Sequence, residues 1–197
     1  MAYFSKFRRV NKDQNQMVKT KSREKKDFIF LDRDGVINKS KIRNGKPFAP
    51  LKYTDFKIFK YTKSSLKKLN KKFEILIVTN QPDIGKKNLK KSEFNKMNQY
   101  LKKKYPVKEI YFCPHQKKDR CDCRKPKIGL LKKAYKKYAF NIKNTYMIGD
   151  RNIDIIAARS FGLKPLFIDR NYKEKKPPKS VPKFKNLAKV VNYILKK

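Results

Sequence analysis

No apolar run in this chain approaches the eighteen or so residues needed to cross a bilayer, which sets aside a membrane-spanning helix and a membrane partner. No apolar core or cleavage site follows the basic N-terminus, so no signal peptide is read there. There is no internal repeat. Soft metal ligands are scarce, with one histidine and three cysteines in 197 residues. Cysteines of that reduced, metal-binding type point to the cytoplasm. Arginine is scarce too: of 55 basic residues only 10 are Arg, while the acids number 16 and the net charge is +39. Base readout and bidentate phosphate recognition favour Arg, so this lysine-rich surface predicts at most non-specific contact with nucleic acid. Residues 1–26 hold nine Lys or Arg, two acids and clusters of Gln and Asn, the composition of a flexible basic arm. The rest, 27–197, is long enough for one α/β domain with its own core, and a monomer is expected.

What the chain does contain is concentrated. Phe28-Ile29-Phe30-Leu31 reads as a short strand buried on both faces, and Asp32-Arg33-Asp34-Gly35 follows at its end. On extended backbone Asp32 and Asp34 point the same way, and two crowded carboxylates call for a cation between them. That predicts a Mg²⁺ site with one carboxylate free to act as a nucleophile. A second buried strand, Glu74 to Val78, ends in Thr79-Asn80; a third, Tyr146 to Gly149, ends in Asp150, with Asp154 four residues on. Arg124-Lys125-Pro126 opens a helix-like stretch between them. All three cysteines and the histidine lie in Cys113-Pro114-His115 and Cys121-Asp122-Cys123. Four scarce ligands within 113–123 predict a closed Cys₃His zinc site, structural because no coordination position is left open.

The pattern predicts strands near 28–31, 75–79, 109–112, 145–149 and 165–168, and helices near 62–71, 91–104, 128–139, 152–161 and 184–195. Strand and helix alternate, as in a doubly wound, mainly parallel, Rossmann-like sheet with helices on both faces. The intervals from Asp32 to Thr79 and from Thr79 to Lys125 are too short for a separate cap domain, so an open site is expected, with loops supplying specificity.

Strand, hydroxyl, lysine, strand and aspartate in this order resemble the haloacid dehalogenase (HAD) superfamily of aspartate-nucleophile phosphotransferases. Cys-Pro-His followed by Cys-Asp-Cys-Arg-Lys-Pro resembles the branch holding heptose bisphosphate and histidinol-phosphate phosphatases. The resemblance implies Asp32 as nucleophile, Asp34 as general acid and base, and Thr79 and Asn80 as donors to phosphoryl oxygens. It implies Lys125 as the balancing cation, and Mg²⁺ on Asp32, Asp150 and the backbone carbonyl of Asp34, with Asp154 behind them. Arg124 and Arg151 stand beside Lys125 and Asp150 as spare cations for a second anionic group. The implied function is removal of phosphate from a sugar phosphate, foremost heptose 1,7-bisphosphate. Histidinol-phosphate hydrolysis, 3′-phosphate removal from nucleic acid, and an idle nucleic-acid-binding scaffold remain as alternatives.

Overall fold

Alternate residues of the central strands part to opposite sides of one sheet. Ile29, Leu31, Ile75 and Ile77 enter one apolar cluster, and Phe28, Phe30, Leu76 and Val78 enter another. Such a split is what the two-residue period produces when a strand is covered on both faces. The computed structural model describes residues 27–196, and the basic arm expected over 1–26 lies outside the described residues.

In chain order the strands are β1 (Asp27–Leu31), β2 (Lys41–Arg43), β3 (Lys46–Phe48), β4 (Phe73–Asn80), β5 (Val107–Cys113), β6 (Tyr146–Gly149), β7 (Lys164–Ile168) and β8 (Lys183–Phe184). The helices are α1 (Thr62–Leu69), α2 (Pro82–Gly85), α3 (Lys91–Lys104), α4 (Gly129–Tyr138), α5 (Asn152–Phe161) and α6 (Leu187–Leu195). Six strands form a sheet in the order β5-β4-β1-β6-β7-β8, parallel throughout. Helices α1, α3 and α6 cover one face through Leu66, Met97 and Val190, among others. Helices α4 and α5 cover the other through Leu131 and Ala158. Each fully buried aliphatic or aromatic side chain is worth roughly 1.5–3 kcal/mol.

The order reverses at β1, which has β4 on one side and β6 on the other. In an open parallel sheet that switch point leaves a crevice beyond the carboxyl ends of the strands. Residues 32, 79–80 and 150 all follow such ends, so the topology alone gathers them.

Helices 91–104 and 152–161 stand where the sequence pattern puts them. Two expectations need correction. Arg124-Lys125-Pro126 does not open a helix: Lys127 N donates to Arg124 O (2.9 Å), closing a turn, and α4 starts at Gly129. The last helix starts at Leu187 rather than 184, because Lys183 and Phe184 pair with Phe167 and Ile168 as β8. Asn186 then caps the helix, its side chain accepting from Lys189 N at 3.1 Å.

Between β1 and α1 the chain makes only the antiparallel β2–β3 hairpin and the 3₁₀ turn Tyr53–Asp55, so no cap domain is present among the described residues. Lys173 N donates to Gly45 O (2.8 Å), pinning the hairpin's turn to the segment after β7. No described helix is long and apolar enough to cross a membrane.

Candidate active site

Asp32 follows β1 and is 7 % exposed. Lys125 Nζ reaches its Oδ1 at 2.9 Å, and also Asp154 Oδ1 at 2.7 Å and Val78 O at 2.6 Å. Asp150, at the end of β6, accepts from Tyr172 Oη at its Oδ2 (2.8 Å), while its Oδ1 has no hydrogen-bond partner. One oxygen from each of Asp32, Asp150 and Asp154 falls within 4.8 Å of the others. Three buried carboxylates against one ammonium leave a negative pocket. Burial pushes Asp32 up to about 6 against the pull of Lys125, with Asp154 and Asp34 adding to the rise. Burial, then Asp32 and Asp154, hold Asp150 well above the usual carboxylate range. Burial alone would lower the Lys125 ammonium, but Asp154 and Asp32 hold it above its ordinary value. An all-oxygen donor set with an orphaned buried carboxylate oxygen fits a hard divalent cation.

The two acids after β1 do not share that pocket as their spacing predicts. The chain turns instead of running on extended: Ile37 N and Asn38 N both donate to Arg33 O, and Gly35 N donates to Asn38 O. Gly35 sits at φ +86°, and a Cβ there would fall 1.7 Å from Asp150 Oδ2, so only glycine fits. The turn carries the Asp34 carboxylate away from the carboxylate cluster. It accepts from Asn38 Nδ2 (2.8 Å), Gln81 Nε2 (2.6 Å) and Arg33. Asp150 and Asp154 are the acids that join Asp32.

Thr79 is buried at the end of β4, and Gln81 Nε2 donates to its Oγ1 at 3.0 Å. Asn80 lines the cleft, but its amide is spent on Lys125: Nδ2 donates to Lys125 O and Oδ1 accepts from Lys125 N, both at 3.0 Å. Arg151, the second spare cation, is held by Glu174 through Nε–Oε2 (2.8 Å) and Nη2–Oε1 (2.6 Å). Arg124 has no acidic partner among the described residues and donates to His115 O at 3.1 Å. Thr79, Asn80, Arg124 and Arg151 line a cleft of ≈ 240 Å³ together with Lys46, Pro47 and Phe48 of the hairpin.

The four soft ligands converge as their spacing predicts. Cys113 Sγ lies 3.6 Å from Cys121 Sγ and 3.7 Å from His115 Nδ1. Cys123 Sγ lies 3.1 Å from Cys113 Sγ, 3.5 Å from Cys121 Sγ and 3.2 Å from His115 Nδ1. All three cysteines are free thiols. Three sulfurs and one imidazole nitrogen at such separations form a donor set fit to hold one metal ion. Strand register sets Cys113 beside Asn80, and Gln81 N donates to Cys113 O (2.7 Å), so the cluster is tied to the carboxyl end of β4.

Residues 122–194 match the family described as HAD-hydrolase-like. The chain is 33 % identical over 176 residues to the D-glycero-alpha-D-manno-heptose-1,7-bisphosphate 7-phosphatase of Campylobacter jejuni, covering 86 % of this chain and 96 % of that one. The chain belongs to the haloacid dehalogenase-like phosphatases. The histidine biosynthesis bifunctional protein HisB of Blochmanniella floridana is 35 % identical over 144 residues, covering 70 % of this chain and 39 % of that one. The D,D-heptose 1.7-bisphosphate phosphatase of B. bronchiseptica, solved with magnesium and phosphate, shares the fold. Its TM-score is 0.75 at 22 % identity, over 86 % of this chain and 98 % of that one.

In this HAD-like phosphatase the structure also brings to the site residues that the sequence left without a role or open to a second reading. Gln81 and Asn38 orient Asp34, and both were visible as polar residues within the strand-end motifs. Asp154, equally readable as a helix-surface acid, is instead fully buried on Lys125. Tyr172 and Glu174 come from a lysine-rich stretch with no local signal at all.

Proposed function

We propose that this chain is a Mg²⁺-dependent phosphomonoester hydrolase that removes the 7-phosphate of D-glycero-D-manno-heptose 1,7-bisphosphate through an aspartyl-phosphate on Asp32. The observation that carries the chemistry is the division of acids. Asp32 sits with Lys125, Asp150 and Asp154 in a pocket suited to a cation, while Asp34 is held apart by amide and guanidinium donors. Asp32 attacks phosphorus as the ester P–O bond breaks, and the departing sugar oxygen takes a proton from Asp34. Water then attacks the phosphoaspartate, Asp34 takes its proton, and inorganic phosphate leaves with Asp32 restored. Lys125 offsets the charge gathering between Asp32 and the phosphate, and Thr79 donates to a phosphoryl oxygen. Mg²⁺, held by Asp32, Asp150 and the carbonyl of Asp34, would polarise the phosphoryl group and offset its charge. Zn²⁺, held by Cys113, His115, Cys121 and Cys123, would fix the loop that delivers Arg124 and Lys125.

Similarity to the Campylobacter enzyme over nearly its whole length supports the choice of sugar. So does the cleft's rim, where Lys46, Lys86 and Arg124 have no acidic partner among the described residues and suit a second phosphate. The test is kcat/KM for heptose 1,7-bisphosphate, histidinol phosphate and a 3′-phosphorylated oligonucleotide. The heptose bisphosphate should lead by at least ~10-fold, the gain expected of one extra charge-assisted contact. A lead for either of the others overturns the choice.

Metal binding should also show in stability. Asp32 titrates higher in the folded chain, at about 6 against 3.8 for the free group. The folded state therefore holds a proton there that the unfolded chain has lost, and this group's contribution to stability falls as the pH rises from about 4 to about 6. A bound cation reverses that by favouring the ionised form. Added Mg²⁺ should raise Tm clearly at pH 7.5 and much less at pH 5.5, where protons compete for Asp32 and Asp150. Equal shifts at both pH values would remove the carboxylates as its ligands.

A further inference from the structure

Arg33 has no exposed surface, and no step of the phosphoryl transfer above calls on it. Its guanidinium lies over two rings at once, 5.5 Å from the centroid of Phe56 and 5.4 Å from that of Phe94. Its fork grips Asp34: Nε to Oδ1 at 3.3 Å, Nη2 to Oδ1 at 3.2 Å and Nη2 to Oδ2 at 3.1 Å. Nη1 donates to Asn98 Oδ1 on α3 at 3.3 Å.

We propose that Arg33 is a positioning residue for the general acid–base, linking Asp34 to the rigid face of α3 so that its carboxylate keeps the rotamer that meets the leaving oxygen. The proposal rests on the reading of Asp34 as the proton carrier. Burying a guanidinium carries a heavy desolvation cost before its pairing is counted. An aliphatic side chain would pack between Phe56 and Phe94 without that cost, so packing does not explain the charge. What an aliphatic residue lacks is a planar, two-pronged donor able to fix a carboxylate in orientation as well as in place. Asn38 and Gln81 each supply a single bond to Asp34, from a loop and from a strand end. Among the described residues, Arg33 alone ties it to the centre of a fourteen-residue helix.

The test separates proton delivery from general damage by the choice of leaving group. A sugar alkoxide needs a proton to depart, whereas p-nitrophenolate does not. In rapid-mix, single-turnover experiments with Mg²⁺, Arg33→Met should slow phosphoenzyme formation from heptose bisphosphate by ~10²-fold, the cost of about 1 Å of misplacement. Formation from p-nitrophenyl phosphate should change by less than ~3-fold, because that step needs no general acid. Asn98→Ala, which removes only the outer anchor, should give the same selectivity at smaller size, and it decides the matter if Arg33→Met does not fold. Asp34→Asn is the reference. A selective loss in Asp34→Asn beside an unselective or absent loss in the Arg33 and Asn98 variants overturns this proposal alone. An Asp34→Asn protein that loses both substrates alike removes the reading of Asp34, and the proposal with it.

Discussion

Asp32→Asn protein should show no measurable turnover and no acid-stable phosphate label after mixing with substrate, a loss on the order of 10⁴-fold or more for a missing nucleophile. The amide is nearly isosteric, so the pocket keeps its shape, but its oxygen does not attack phosphorus. Stability should move differently. The native carboxylate is buried, and desolvation together with the neighbouring acids raises its pKa. Lys125 keeps Asp154 at 2.7 Å and Val78 O at 2.6 Å when Asp32 is neutralised. The metal-free variant should therefore melt at or above the wild-type temperature at pH 7.5 while its activity is gone. Melting curves and labelling with radioactive phosphate, run on the same preparation, check both halves. Residual turnover above about 1 % of wild type would take the nucleophile's role from Asp32.

Protein purified without chelators should contain one zinc per chain, and Cys121→Ser should contain none. Structural zinc sites contribute folding free energy directly, and a 150–250-residue protein loses about 2–4 °C of Tm per kcal/mol. Loss of a few kcal/mol thus predicts a fall of roughly 10 °C. Activity should fall as well, since the loop that ends in Cys123 leads straight into Arg124 and Lys125. Arg124 is steadied by the carbonyl of His115, itself one of the four ligands (3.1 Å). Asn80 holds the Lys125 backbone from the other side through two bonds of 3.0 Å, so Lys125 should be displaced less than Arg124. A larger rise in KM than fall in kcat is the expected pattern. Elemental analysis that finds no zinc in the wild-type protein would refute the tetrahedral site, whatever the variant does.

Much of this molecule can be read in its sequence because its strands are buried on both sides. Runs such as Phe28 to Leu31 and Ile75 to Val78 have no polar face to blur them, and each is stopped by a residue proposed to take part in the chemistry, Asp32 or Thr79. The amphipathic stripe Phe94, Met97 and Leu101 placed α3 to the residue. The four soft ligands gave the second cluster by scarcity alone. What failed to show had weak local signals. The β2–β3 hairpin is only three residues a side and mostly exposed, with neither alternation nor an apolar run to mark it. The turn after Leu31 defeated the argument from extended backbone: strand geometry ended one residue before the first aspartate, so the second faced elsewhere. The sequence neighbourhood of Asn80 and Arg151 points to substrate contacts but gives no sign of the partners that hold them. Their engagement by Lys125 and Glu174 depends on residues 45 and 23 positions away. Buried Arg33 gave no warning, because a charge between two aspartates reads as ordinary loop polarity until the two phenylalanines close over it.

The hairpin has a consequence for how this scaffold can be altered. The residues proposed to make and break bonds follow the ends of sheet strands or the loop that carries the three cysteines and the histidine. Lys46, Pro47 and Phe48 of the lining belong to a separate ribbon, paired with itself and fastened to the body through a backbone bond at Gly45 and the Lys41–Asp55 ion pair. Part of the cleft's lining therefore stands on a module of its own, while Lys86 and Arg124 complete the lining from the body of the domain. Residues 41–48 should therefore accept lengthening, shortening or exchange with those of another phosphatase while hydrolysis of a generic phosphate ester persists, which kcat measured on p-nitrophenyl phosphate checks.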